Sequence, residues 1–149
     1  MSMFSAFNIN ASGLTAQRYR MDVISENVAN ASTTRTENGT PYRRKVVTFE
    51  EKGGQTSFSR VLGQAAYNHG YTGQGVKVSG VYEDYATEMN MVYDPSHPDA
   101  DENGYVTYPN VNIITEMTNM IDASRAYEAN ATAFNASKTI ALKGLEMAN

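Results

Sequence analysis

Residues 113–148 read IITEMTNMIDASRAYEANATAFNASKTIALKGLEMA, and the pattern of this stretch decides the fold. Mostly apolar side chains recur at alternating intervals of three and four residues over five heptads, without a proline. This spacing predicts one long helix with an apolar seam of the coiled-coil type. At about 1.5 Å per residue the helix would be roughly 50 Å long, so its seam needs a partner. The seam positions are Ile113, Met117, Met120, Ser124, Tyr127, Ala131, Phe134, Lys138, Ala141, Leu145 and Ala148.

The seam of this helix is thin, because alanine occupies three of its positions and further alanines spread over the other faces. Small side chains allow neighbouring helices to approach closely. Two interpretations follow from this composition. The helix either folds back on the rest of its own chain or is completed by other subunits.

A second helical segment runs from Phe4 to Asn30 and has the same spacing. An amphipathic segment of this length is only marginally stable alone in water. Two such segments far apart in one chain predict an antiparallel pair, and core helices of an ordinary globular α+β domain are the alternative. Gly13 interrupts the pattern and predicts local softness. The stripe consists of Phe4, Phe7, Ala11, Leu14, Arg18, Met21, Ser25 and Val28, with Ile24 beside it.

The middle of the chain has the pattern of a small β-rich module. Strong β formers predict a strand in residues 42–51, two strands in 75–94 and a short last strand in 105–108. Residues 31–41 have the composition of a loop, and residues 55–74 are poorly patterned, with a surface loop expected at 67–71. The predicted fold class is therefore α+β. We expect a terminal-helix coiled-coil domain formed by residues 1–34 and 113–149, and a central module formed by residues 35–112.

Composition excludes several classes of function. A net charge of −4 and the lack of a basic stripe argue against nucleic acid as a partner. The absence of cysteine excludes disulfides and thiolate chemistry. The first residues lack the basic and apolar regions of a cleavable signal, so we expect none, and no run of 18 apolar residues predicts a membrane span.

No constellation of side chains predicts catalysis or a cofactor. Residues 99–104 match the opening of a calcium loop, but Asn110 stands where a bidentate carboxylate is needed, and Pro95 and Pro98 disfavour a helix upstream. We therefore expect no metal site, and we expect His97 to bond the loop backbone. The basic cluster in residues 43–45 is most simply a solvated face, with an acidic neighbour as the alternative.

Several stretches together resemble a known family. Residues 11–17, ASGLTAQ, and residues 22–30, DVISENVAN, resemble the amino-terminal signature of bacterial flagellar rod and hook proteins. Residues 41–45, 92–101 and 120–130 resemble the proximal rod proteins within that group. Together the similarity covers about three quarters of the chain. The motif residues with the clearest match are Asn27, Ala29, Asn30, Tyr93, Asp94, Pro95, His97 and Pro98.

This resemblance implies a non-enzymatic structural subunit of the flagellar drive shaft, which transmits motor torque. The expected location is the basal body in the periplasmic space, reached by type III export without cleavage. Expected partners are copies of the same chain, other rod subunits, and membrane-ring and export-gate proteins, with no small-molecule substrate. Another axial rod or hook protein, a soluble coiled-coil adaptor and an enzyme are the alternatives.

The assembly residues follow from combining the seams with the resemblance. Phe4, Phe7, Leu14, Met21, Ile24 and Val28 are expected to pack against Met117, Met120, Tyr127, Phe134 and Leu145. Burying one large apolar side chain contributes roughly 1.5–3 kcal/mol, which is a modest gain against the entropy of ordering two long helices. We therefore expect the terminal segments to be disordered in the free monomer and to fold on incorporation.

Overall fold

The fold was described from a computed structural model that covers residues 3–53, 62 and 73–147, with side chains from residue 5 onward. In chain order the elements are α1 (Met3–Ala29), β1 (Lys45–Glu51), β2 (Val76–Glu83), β3 (Asn90–Tyr93), β4 (Tyr105–Tyr108) and α2 (Ile113–Glu146). Two long helices therefore flank a small group of strands. The predicted α+β class is confirmed.

The described strands form two sheets of two strands each, β1 with β2 and β3 with β4. The β3–β4 pair is antiparallel, and its register runs from Asn90 opposite Tyr108 to Tyr93 opposite Tyr105. Backbone bonds of 2.8 Å join Lys52 N to Gly75 O and Asp84 N to Arg44 O at the two limits of the first sheet. The neighbouring strands in both sheets are therefore antiparallel.

The first strand is shorter than predicted, because it begins at Lys45 and not at Tyr42. The preceding amides bond to other partners. Tyr42 N donates to Thr33 O at 3.1 Å, and Arg44 N donates to Asn110 Oδ1 at 2.9 Å. Residues 42–44 are therefore held by loop and side-chain acceptors before the ladder begins.

Both helix ends near the module have side-chain caps. Asn112 Oδ1 accepts the amides of Ile114 and Thr115 at 3.0 and 3.2 Å, which is the arrangement of a helix N-cap. At the end of α1, Asn30 Nδ2 donates to Glu26 O at 2.9 Å. The Asn112 bonds satisfy amides that α2 cannot pair internally, whereas Glu26 O also accepts the backbone amide of Asn30 at 3.1 Å.

The chain divides into two compact units, which we number by order of appearance. Unit 1 contains Met1–Arg18, Phe49–Ser79 and Arg125–Asn149, and unit 2 contains Tyr19–Thr48 and Gly80–Ser124. The predicted boundaries at residues 34 and 113 stay a prediction. The expected loop at 67–71 and the Phe4 side chain lie outside the described residues.

Buried side chains concentrate in unit 2. Val106 and Ala123 are fully buried there, and Val23, Ile24 and Val111 are nearly so. In the described part of unit 1, Ala16 is the only buried residue. Within the same ranges, neither helix has an apolar stretch that could cross a membrane. Unit 1 therefore buries little of its own apolar surface through the residues described.

Candidate assembly surfaces

The two helices contact each other in antiparallel order within unit 1. The rings of Phe7 and Phe134 meet edge to face with centroids 5.1 Å apart. Further along α1, Gly13 lies against the side chain of Asn130, which precedes Phe134 in α2. Aromatic pairs of this geometry contribute about 0.5–1.5 kcal/mol beyond their buried area.

The predicted seam residues of α1 face the protein to different degrees. Ile24 is buried, whereas Phe7, Leu14, Met21 and Val28 are half-buried. Each therefore has apolar surface covered by the chain itself, and only Ile24 is covered fully.

The predicted seam residues of α2 are less covered. Met120 and Phe134 are half-buried, but Met117, Tyr127 and Leu145 are 58%, 37% and 61% exposed. A large part of the predicted seam in this helix is thus uncovered by its own chain. These side chains are available to another molecule.

The face of α2 that the chain does bury is offset from the predicted seam. Glu116 and Ala123 are its buried residues. At about 100° per residue, the opposite face carries Ile114, Met117 and Ile121, which are 77%, 58% and 52% exposed. Ile114 and Ile121 were not part of the predicted seam. We call these three residues the acidic-unit stripe, because they belong to unit 2, which contains twelve Asp and Glu against five Lys and Arg.

The end of α2 is uncovered on several sides. Ile140, Leu142 and Leu145 are 70%, 51% and 61% exposed. At about 100° per residue, Leu142 and Leu145 lie about 60° apart on one side of the helix, whereas Ile140 lies on another side. Lys138 and Lys143 are exposed among them. We call Leu142, Leu145 and the flanking lysines the basic-unit surface, since all belong to unit 1, which contains seven Lys and Arg against four Asp and Glu.

The Ser12–Gly13 pair of the amino-terminal motif joins α1 to two other elements of unit 1. Ser12 Oγ donates to Ile9 O at 2.7 Å and accepts the amide of Val76 at 3.0 Å. A Cβ on Gly13 would lie 2.7 Å from Asn130 Oδ1. Gly13 was predicted only to make the helix locally soft. In the structure α1 is continuous there, and the lack of a side chain on Gly13 leaves room for the side chain of Asn130.

A buried polar network lies in unit 2 and centres on Asn27, which is 1% exposed. Its Oδ1 accepts the Tyr42 hydroxyl and the Lys45 amide, both at 2.9 Å. Its Nδ2 donates to Lys45 O at 2.8 Å and to Glu116 Oε2 at 3.0 Å. One amide side chain therefore ties α1, the entrance of β1 and α2 together.

Glu116 is the charged member of this network and is also 1% exposed. Arg44 approaches Glu116 Oε1 through Nε at 2.9 Å and NH2 at 2.8 Å. The same guanidinium reaches Asp84 Oδ2 at 3.4 Å. A buried carboxylate is costly unless it is paired and hydrogen-bonded, and here it has both kinds of partner.

The basic cluster at residues 43–45 is not a solvated face, so the alternative of acidic neighbours is correct. Arg44 pairs with Glu116 and Asp84, and Lys45 pairs with Glu26. Arg43 instead places its guanidinium 4.2 Å from the centre of the Tyr85 ring. All these partners lie between 19 and 72 residues away in sequence.

Burial changes the acidity of the tyrosine in this network. Tyr42 is buried and donates its hydroxyl to Asn27, and burial raises its pKa to about 12. The negative charges of Glu26, Glu116 and Glu83 also raise the pKa, because they disfavour a phenolate nearby. The hydroxyl is thus held as a proton donor well above neutral pH.

The motif loop after β3 is organised by local hydrogen bonds. Asp94 Oδ1 accepts the hydroxyl and the amide of Ser96, and these bonds lower the pKa of Asp94. His97 Nδ1 accepts the Asp99 amide at 3.1 Å, so the expected bond from histidine to the loop backbone is confirmed. Tyr93 is 63% exposed and packs edge to face on Tyr105, while Pro95 and Pro98 are exposed.

The carboxylates of the calcium-like sequence have other partners in the fold. Asp101 Oδ1 accepts the amides of Asn103 and Tyr105 at 2.9 and 2.8 Å. Asp99 accepts the Thr34 hydroxyl at 2.8 Å. The acidic spacing therefore serves a turn and a contact with the loop after α1.

Asn110 extends the polar network of unit 2 and was not among the predicted site residues. It accepts from Arg44 N, and its Nδ2 donates to the carbonyls of Asp84 and Thr87 at 2.9 and 3.1 Å. Of the polar network, only Asn27 was among the predicted site residues. Ala29 and Asn30, its motif neighbours, lie exposed and half-buried at the end of α1.

Two family descriptions match the parts of the chain that carry this geometry. Residues 7–35 match "Flagella basal body rod protein", and residues 102–147 match "Flagellar basal body rod FlgEFG protein C-terminal". The first range contains Gly13 and Asn27, and the second contains Glu116 and Asn130.

Characterised relatives match over nearly the whole length. The flagellar basal-body rod protein FlgC of Bacillus subtilis is 48% identical, with 99% of each chain covered. The FlgC protein of Borreliella burgdorferi is 45% identical and covers 94% of this chain and 93% of its own. That of Salmonella typhimurium is 41% identical, with 99% and 98% covered.

Proposed function

This chain belongs to the FlgC family of flagellar basal-body rod proteins, and we propose that it transmits motor torque as a structural subunit of the proximal rod. The observation that carries this mechanism is the exposed apolar surface of α2, including Met117 and Leu145, on a helix of 34 residues. A soluble subunit exposes such side chains at a cost, whereas a helical assembly buries them.

The proposed rod core consists of residues 1–34 and 113–149, whose helices pack as a coiled coil and against neighbouring subunits. Residues 35–112 form the module outside this core. Antiparallel contacts such as Phe7 with Phe134 support the pairing, and the polar network around Asn27 supports a rigid link to the module. Transmission of torque requires such rigidity, because a flexible connection would deform under load instead of rotating with its neighbours.

The chain associates with other rod and basal-body components, as its family membership implies. We propose that these comprise copies of itself, other rod subunits, and the membrane-ring and export-gate proteins at the rod base. The proposed location within the basal body is the periplasmic space, reached by type III export without cleavage of a signal peptide. The proposed work is mechanical and not enzymatic.

Replacement of Leu145 by aspartate tests the assembly mechanism in a strain that lacks its own copy of this chain. Leu145 is 61% exposed, so the variant should be produced and exported normally while rods fail to assemble and motility is lost. As a control, the single variant Glu146→Gln, changed at the next exposed position, should restore motility to the same strain. Normal rods with Leu145→Asp would contradict the seam mechanism, and failure of the unaltered chain to restore rods would contradict the function.

Hydrogen exchange of the dilute protein tests whether the helices are completed only in the assembly. We expect fast exchange in residues 1–30 and 113–149, with protection confined to about residues 42–108. Protection at both ends of the monomer would instead favour a chain that folds completely before it meets its neighbours.

A further inference from the structure

We propose that copies of this chain join heterologously, with the acidic-unit stripe of one copy docked on the basic-unit surface of the next. This inference rests on the proposed rod function and specifies its contact between like subunits. The two surfaces are different parts of α2: Ile114, Met117 and Ile121 on one copy, and Leu142 and Leu145 with their flanking lysines on the other.

The two units have opposite net charge. Unit 1 contains seven Lys and Arg against four Asp and Glu, whereas unit 2 contains five against twelve. Their formal net charges are therefore +3 and −7, although the whole chain carries only −4. Copies of one chain with this division attract each other when unlike units meet and repel when like units meet.

In unit 2, most basic side chains already have partners, so few of its positive charges are free. Four of its five basic side chains are already engaged: Arg35 with Asp99, Arg44 with Glu116 and Asp84, Lys45 with Glu26, and Arg43 with Tyr85. Meanwhile Glu88, Glu102 and Asp122 are exposed without an ion pair in the described part of the chain. The free charge of this unit is thus predominantly negative.

In unit 1 the free surface charge is positive. Five exposed basic side chains make no ion pair with the residues described, against three such carboxylates, while Lys77 pairs with Glu50 at 3.1 Å. The basic ones are Arg18, Lys52, Arg125, Lys138 and Lys143, and the acidic ones are Glu51, Glu128 and Glu146. Lys138 and Lys143 lie among the exposed apolar residues near the end of α2. A neighbour that covers Leu142 and Leu145 therefore meets two lysines and one carboxylate, that of Glu146, and this balance favours a neighbour with negative charge.

The apolar side chains provide affinity, and the charges select the orientation. Each surface presents two or three large apolar side chains that are more than half exposed. A contact between unlike surfaces leaves one surface of each kind free on the growing complex, so it continues into a ring or a helical array. An isologous dimer would close after two copies and would bring two units of like charge together.

Cysteine cross-linking can test the pairing directly, because the chain contains no cysteine of its own. Ile121→Cys and Leu145→Cys place one thiol on each surface. In a mixture of the two single variants, a bond between positions 121 and 145 must join two molecules. It forms only where their Cα atoms come within about 7 Å of each other.

The double variant Ile121→Cys/Leu145→Cys should form a ladder of dimers, trimers and longer chains under mild oxidation at high protein concentration. An equal mixture of the two single variants should form mainly mixed dimers, about tenfold faster than either single variant forms its own dimer. Met91→Cys, at an apolar position that is 63% exposed in β3, provides the matched control. Raising the salt concentration to about 0.5 M should slow the mixed cross-link about tenfold, since it screens the attraction between the units.

Cross-linking of either single variant with itself as fast as in the mixture would overturn the heterologous contact. Rates no higher than those of the Met91→Cys control, or rates independent of salt, would also overturn the proposal. These readouts use purified protein and need no rod. Failure here therefore differs from failure of the unaltered chain to restore rods in cells, which would contradict the proposed function itself.

Discussion

Asn27 of α1 donates a hydrogen bond of 3.0 Å to Glu116 of α2, 89 residues further along the chain. Both side chains are 1% exposed, so within unit 2 the helices are joined by a buried polar contact. A shift of either helix by one residue would leave both groups buried without partners, which costs about 1–3 kcal/mol for each. The contact therefore fixes the register of the pair.

Glu116→Gln should lower the free energy of unfolding by roughly 2 kcal/mol, because it removes the charge that Arg44 pairs with at 2.8 Å. Urea denaturation at a protein concentration at which the subunits associate, so that the terminal helices are ordered, measures this change. Glu128→Gln, exposed on the same helix, should change stability by less than about 0.5 kcal/mol. Equal effects of the two substitutions would contradict the role assigned to the buried carboxylate.

Gly13→Ala should destabilise the protein by about 1–2 kcal/mol, because the new Cβ would displace the Asn130 side chain from its 2.8 Å bond to Ala126 O. Gly144→Ala has open space around its Cβ and should stabilise α2 by up to about 1 kcal/mol. Thermal unfolding of the associated protein, in which the terminal helices are ordered, compares the pair. Adding Asn130→Ala should recover much of the loss in Gly13→Ala, and no recovery would show that the clash is not the cause.

Gly75→Ala should lower the free energy of unfolding of the associated protein by roughly 3 kcal/mol in the same thermal measurement. Its backbone has φ of +96°, and a Cβ there would lie 2.1 Å from Ser12 Oγ and 3.3 Å from Ile9 Cα. Gly39→Ala separates backbone strain from the steric clash, because Gly39 has φ of +77° but nothing within 4 Å of its Cβ. That control should cost only about 1 kcal/mol. Similar losses of stability in both variants would mean that backbone strain alone is responsible.

Tyr42 should make the fold sensitive to alkali. Its pKa is raised to about 12 in the folded state from an ordinary value of 10.0. The folded state therefore holds this proton more tightly, so the stabilisation is complete below pH 10 and is lost as pH rises through about 12.

Tyr42→Phe isolates this effect when the unfolding free energy of the associated protein is measured between about pH 9 and pH 12. The variant should be about 1 kcal/mol less stable at neutral pH, because it loses the bond to Asn27, but its stability should fall less steeply above pH 10. Tyr19→Phe, at an exposed position of α1, should follow the unaltered protein. Parallel profiles for all three proteins would contradict the assignment to Tyr42.

Much of the secondary structure could be predicted because its causes are local. The 3-4 spacing that begins at Ile113 runs without a proline, and α2 begins at that residue and ends at Glu146. The strand predicted at residues 105–108 has the observed bounds Tyr105–Tyr108. Both patterns depend on neighbouring residues, whose side-chain periodicity reflects helix or strand geometry directly.

The side of α2 that is buried could not be predicted in the same way. Apolar residues occur on several faces of this helix, so spacing alone favoured the seam through Met117 and Leu145, which are more than half exposed. The buried face instead includes Glu116, which no hydrophobic pattern identifies. A carboxylate is tolerated there only because Arg44 and Asn27 supply its partners.

The sequence by itself determined the two long helices, the short strands between them and the family signatures, because each depends on the order of nearby residues. Only the tertiary structure decided that Gly13 admits Asn130 and that Arg44 neutralises Glu116. These partners are separated by 72 residues or more, and their contact depends on how the elements pack. Buried polar groups gain stability from such distant partners, which local periodicity does not encode.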